Sequence, residues 1–175
     1  MESLPLSHWE NFYVIVGSAA AGLTGLTFVV IALVRDVATV SPSGLSTWVT
    51  PTIVHFGGVL ALAAFLSMPD LSVLILSTAL AVGGVAGVVY GGYIAVKLRR
   101  QGPTYIPVGE DWMWNVVLPT LTYAALILTA RLIWHHPVAA LHAVAVLSLL
   151  LLFIGIRNAW DIAVWMTTHG PRSPQ

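Results

Sequence analysis

The chain has 175 residues and no net charge; 58% of its residues are apolar, only 8% are charged, and its mean hydropathy is +0.89. Soluble domains carry roughly a quarter charged residues, so a soluble surface of this size would lack polar cover. Seven basic residues balance seven acidic ones without a basic run long enough to attract nucleic acid, which argues against nucleic acid as a partner, and the lack of cysteine excludes disulfides, thiolate metal sites and a cysteine nucleophile.

Charges divide the chain into uncharged stretches at 11 to 34, 37 to 69, 71 to 96, 112 to 130 and 132 to 156. A hydrocarbon core of about 30 Å takes roughly 20 helical residues, and only helices or closed barrels satisfy their backbone groups in lipid. Because the apolar runs are continuous rather than alternating, they read as helices. The expected fold is all-α, a polytopic membrane helix bundle with about five transmembrane helices near 12–34, 50–68, 71–96, 113–134 and 138–157.

The first stretch follows Glu2 and Glu10 rather than a basic segment and is long for a signal-peptide core, so it reads as a mature helix. Met68-Pro69-Asp70 divides the second span from the third, and His135-His136-Pro137 divides the fourth from the fifth; both turns predict antiparallel hairpins. The longer links at 35–49 and 97–112 carry Ser41-Pro42-Ser43-Gly44, Gly102-Pro103 and Pro107, and share the opposite side. One domain over 1–168 is expected, with a flexible Gly-, Pro- and Ser-rich tail at 169–175.

Arg35, Lys97, Arg99, Arg100, Arg157 and Arg172 fall on the side reached after an odd number of crossings. The positive-inside rule then predicts an outside N-terminus and a cytoplasmic C-terminus. Trp9, Trp48, Trp112, Trp114, Trp134, Trp160 and Trp165 lie near span ends, the level that amphipathic indoles prefer.

Small residues recur every four positions in the third span, at Ala79, Gly83, Gly87, Gly91 and Ala95, and in the first span at Gly17, Ala21 and Gly25. Lipid supplies little hydrophobic drive between helices, so close approach at such faces supplies dispersion contacts. The two faces are expected to meet within one subunit, with a homo-oligomer as the competing arrangement. Pro119, Thr120, Thr122 and Tyr123 place a kink and several hydroxyls in the fourth span.

Arg131 and His142 flank the His135-His136-Pro137 turn at similar depth, an arrangement suited to a shared wet cavity or, for Arg131, to an interface anchor paired with Glu10 or Asp70. His55 lies in the inner part of the second span, where an imidazole suits proton sensing or relay, or a hydrogen bond to a neighbouring helix. Arg157 and Asp161 stand four residues apart and are expected to pair at the cytoplasmic boundary. His8, His135, His136 and His142 lack a tight ligand spacing, so no metal is assigned and no cofactor is implied. The sequence holds no nucleophile elbow, phosphate loop, paired zinc motif or dinucleotide fingerprint from which enzyme chemistry could start.

Trp9-Glu10-Asn11-Phe12-Tyr13, followed by the small-residue stretch 17–30, resembles a group of small uncharacterised bacterial multi-pass membrane proteins. That resemblance implies a bacterial cytoplasmic membrane. The same stretch is similar to the first helix of Orai calcium channels but lacks an acidic residue from Thr27 to Val34, so calcium selectivity does not carry over. The leading functional expectation is an oligomeric channel or transport-like protein for an ion or small solute. A nonconducting accessory or sensor protein that binds another membrane protein is the alternative, and a membrane-embedded enzyme comes third.

Overall fold

The computed structural model describes residues 6–35, 49–100 and 108–169, with side chains from 33 to 35 and from 165 to 169 excepted. The Ser41-Pro42-Ser43-Gly44 turn, the Gly102-Pro103 and Pro107 link and the tail beyond His169 lie outside the described residues. Among the described residues all regular structure is helical: α1 (Glu10–Arg35, entered by a tight 3₁₀ turn, Leu6–Trp9), α2 (Thr50–Leu66), α3 (Val73–Arg99), α4 (Gly109–Leu132) and α5 (Pro137–His169). The fold is therefore an all-α bundle of about five helices. Four of the helices, all but α2, are long and apolar enough to cross a membrane, the architecture of an integral membrane protein.

Local chemistry explains the helix boundaries. Pro51 sits in the first turn of α2 and Pro137 opens α5, positions where a missing N–H costs no helical hydrogen bond. Between α2 and α3 the chain turns through Asp70, whose φ of 52° is left-handed, a conformation that a short polar side chain tolerates better than most. Ser72 then caps α3, its hydroxyl accepting from the Ile75 N–H at 3.3 Å. In α4 the residues Met113–Val117 form a π turn immediately before Pro119, so the irregularity expected from the proline is a widened turn on its N-terminal side.

The helices pack as two pairs, α1 on α2 and α3 on α4, with α5 laid against α2 and α4 and more lightly against α1. The α4–α5 hairpin forms as expected, but the α2–α3 pair joined by Met68-Pro69-Asp70 scarcely packs. Beyond the turn α3 diverges, because its flattest face is covered by α4. The fifth helix is also longer than its expected span of 138–157, continuing without a break to His169. The core runs from Tyr13, Val16 and Ala20 through Val59, Ala63, Leu76 and Leu80 to Tyr123, Leu126, Leu141, Val144 and Leu151. Large apolar side chains such as Ile15, Leu26, Val82, Val89, Leu128 and Phe153 face outward, as lipid contact requires.

Candidate functional site

The expectation that the small-residue faces of the first and third spans meet each other is overturned by the packing. Gly87 and Gly91 of α3 face α4: a Cβ added at Gly87 would run into the Tyr123 ring, and one at Gly91 into the Thr120 hydroxyl. Gly84, which the four-residue series omits, is the third member of this face; a Cβ there would lie 2.6 Å from Ile127 Cγ1 and 2.8 Å from the Tyr123 carbonyl oxygen. Gly83, by contrast, has nothing within 4 Å, and Ala79 and Ala95 are half-buried at the margin of the contact. On α1, Gly17 meets α2, its added Cβ coming 3.0 Å from Ala63 Cβ, while Ala21 is exposed and Gly25 has open space beside it.

The groove left by Gly87 fixes the position of a hydrogen-bonded pair in the interior. Tyr123 lies in it with its ring against α3, and its hydroxyl reaches across to α2, where it sits 3.1 Å from His55 Nδ1 and 3.4 Å from where a Cβ on Gly58 would stand. The pair thus joins the α3–α4 unit to α2 through one aromatic ring. His55 is 1% exposed and Tyr123 6% exposed, so the hydrogen bond lies in the protein interior and is sheltered from competing solvent.

Besides that bond, four buried polar atoms on His55 or one helical turn from His55, Tyr123 or Gly87 have no hydrogen-bond partner among the described residues: His55 Nε2, Thr52 Oγ1, Thr120 Oγ1 and Tyr90 Oη. Thr52 precedes His55 by three residues and Thr120 precedes Tyr123 by three, so each lies one turn away on the same helix face. Tyr90 follows Gly87 by the same interval on α3. Other hydroxyls in the bundle avoid this state by bonding back into their own helix, as Thr24, Thr27, Thr78, Thr122, Thr129 and Ser148 all do at 2.7–2.8 Å. Thr52 stands in the first turn of α2, and the residue four before Thr120 belongs to the π turn, so regular back-bonding geometry is interrupted at both.

Arg131 and His142 do not form a second centre. His142 donates from Nδ1 to the Val138 carbonyl at 2.8 Å and meets the Trp9 ring edge-on with centroids 4.7 Å apart, which ties the start of α5 to the start of α1. Arg131 is exposed at the end of α4 and, among the described residues, pairs with neither Glu10 nor Asp70. No group of three histidine or acidic side chains that could hold a metal occurs among the described residues.

At the opposite end of the bundle Arg157 and Asp161 form the expected ion pair. Arg157 also reaches Glu110 at 3.7 Å and lies over the Trp114 ring at 5.1 Å, so one guanidinium ties α5 to the first turns of α4. The contacts of Arg157 with Glu110 and Trp114 escaped sequence reasoning because a pairing across helices leaves no periodic signal. Asn158 adds a long contact at 3.5 Å from its Nδ2 to the Trp114 carbonyl, which lies in the π turn.

Comparison with protein-family models, with curated proteins and with solved structures finds no match to this chain.

Proposed function

We propose that this integral membrane protein is a transport-like protein for an ion or small solute, in which the polar cluster around His55 and Tyr123 handles the solute. One observation carries the reading: a fully buried histidine in an apolar bundle has one nitrogen bonded across helices and the other without a partner among the described residues. Ionisable groups inside a membrane bundle are costly to retain, and substrate, ion and proton pathways are among the roles that they mark. In this reading α2, α3 and α4 form the working part, and α5 braces them. Lys97 and Arg99 in the last turn of α3 and Arg157 in the last half of α5 support a cytoplasmic C-terminus, and a bacterial cytoplasmic membrane is the proposed location.

The test is flux in proteoliposomes, comparing the wild-type chain with His55→Gln and Tyr123→Phe across a panel of monovalent ions, protons and small neutral solutes. A solute whose flux falls at least severalfold in both variants supports the proposal. Equal flux from empty and loaded vesicles for every solute sinks it.

A second reading, a nonconducting accessory protein, draws support from α1, where Gly22 and Gly25 lie open among exposed Val14, Ile15 and Leu26. Such a face allows close approach of another membrane helix. Co-purification of a defined membrane partner that is lost on Gly22→Leu, together with absent flux, would favour this role.

A further inference from the structure

The unpartnered atoms around His55 and Tyr123 can be accounted for group by group. If the Tyr123 hydroxyl donates to Nδ1, then Nε2 carries the imidazole proton and requires an acceptor. If Nδ1–H donates instead, Nε2 requires a donor and the tyrosine proton needs another acceptor. In either tautomer at least one demand is left over, and Thr52, Thr120 and Tyr90 each add a hydroxyl that can both donate and accept. Buried polar groups left unmatched are costly, and the usual remedy in a polar recess is an internal molecule that makes two to four hydrogen bonds.

Two features limit what that molecule can be. The first is charge. Helix α2 carries no Asp, Glu, Lys or Arg, α3 carries none before Lys97, and α4 carries none between Asp111 and Arg131. The first charge on α5, Arg157, is already engaged by Asp161, Glu110 and the Trp114 ring. A charged guest would therefore enter a low-dielectric region with no opposite charge to offset its desolvation. The second is size. Tyr123 lies directly on Gly87, Thr120 on Gly91, and Phe56 so close to Gly155 that an added Cβ would stand 2.5 Å from its ring. Close packing at these three contacts means that a bulky guest would have to part the helices.

We infer that the cluster of His55, Thr52, Thr120, Tyr90 and Tyr123 is a water-sized binding site for an uncharged hydrogen-bonding molecule, and that water itself is its resident ligand. The solute class that follows, which rests on the transport reading, is small and neutral rather than ionic. Hydration of the site stands independently of that reading.

The experiment is magnetisation transfer from water to side-chain nitrogens in ¹⁵N-histidine-labelled full-length protein in lipid nanodiscs, with His55→Gln used to assign the His55 signals. Rapid transfer to the His55 ring, lost in Thr52→Val and restored in Thr52→Ser, is expected. The two variants also divide the outcomes by sign in thermal unfolding. Removing a hydroxyl that binds a shared water lowers Tm, whereas removing a dry, unmatched hydroxyl raises it. A His55 ring without water transfer, or a raised Tm in Thr52→Val, overturns the hydration site. On the transport side, osmotic shrinkage of proteoliposomes measures water and urea permeability, and electrical recording measures ion current. Water or urea permeability that falls severalfold in His55→Gln, without ion current, supports the solute class. An ion current that depends on His55 overturns that class. A hydrated His55 with no flux of any kind overturns the transport reading and the solute class together while supporting the hydration site.

Discussion

Replacing Gly87 with alanine tests the central packing claim, because the change adds a single methyl group at the tightest point between α3 and α4. Carbon atoms sit best about 3.5–4.0 Å apart, and the new Cβ would stand 2.5 Å from Tyr123 Cδ2 with two further ring carbons closer still. The obstacle is a ring held between two helices rather than the free end of a flexible chain, so α3 and α4 must separate or Tyr123 must leave its groove. Overpacking of this kind costs about 1–3 kcal/mol. Loss of the 3.1 Å bond from Tyr123 to His55 adds about 1 kcal/mol, and the better helix propensity of alanine returns up to about 1 kcal/mol. The net expectation is a loss of about 1–3 kcal/mol, or roughly 2–4 °C in Tm for each kcal/mol in a chain of this size. Gly83→Ala and Gly92→Ala are matched controls on the same helix, since nothing lies within 4 Å of either added Cβ. Thermal unfolding of all three in one detergent, followed by tryptophan fluorescence, reads the difference directly. If Gly87→Ala melts with the controls or above them, α4 does not close on α3 as described.

A double-mutant cycle on His55→Phe and Tyr123→Phe should return a coupling of about 0.5–1.5 kcal/mol, and additive effects would mean that the two side chains do not bond. Arg157→Gln removes an ion pair and a cation–π contact in a partly exposed setting, with an expected loss of about 1 kcal/mol; Glu110→Gln, at a side chain 79% exposed, should leave Tm within error. Arg131→Gln should change stability by less than about 0.5 kcal/mol, since the residue is exposed and makes no ion pair among the described residues; a larger loss would reveal a partner. Gly25→Leu should leave unfolding of the single chain unchanged, and a smaller particle mass in nanodiscs would show that this face joins copies of the protein.

The membrane character and the number of helices were legible in the residues themselves. Hydropathy and helix length are local properties, and charges or prolines at the ends of each apolar run mark where a helix can stop. The Arg157–Asp161 pair was legible for the same reason, because four-residue spacing on one helix fixes its geometry. Helix pairing was not. Gly83 and Gly84 are equivalent in composition, yet only Gly84 meets α4, and a regular four-residue series selected its exposed neighbour. The rotation of a helix about its axis is set by the surface it packs against, which lies elsewhere in the chain. His55 and Tyr123 were each conspicuous as polar residues in apolar spans, but nothing local couples positions separated by 68 residues. Their meeting depends on Gly87 leaving a groove on α3, on Tyr123 filling it from α4, and on α2 standing within reach of the phenol. The sequence by itself determined how many helices form and that they suit a bilayer; tertiary packing decided which glycines became contacts and which polar groups became a site, because a contact depends on two helices and the site on three.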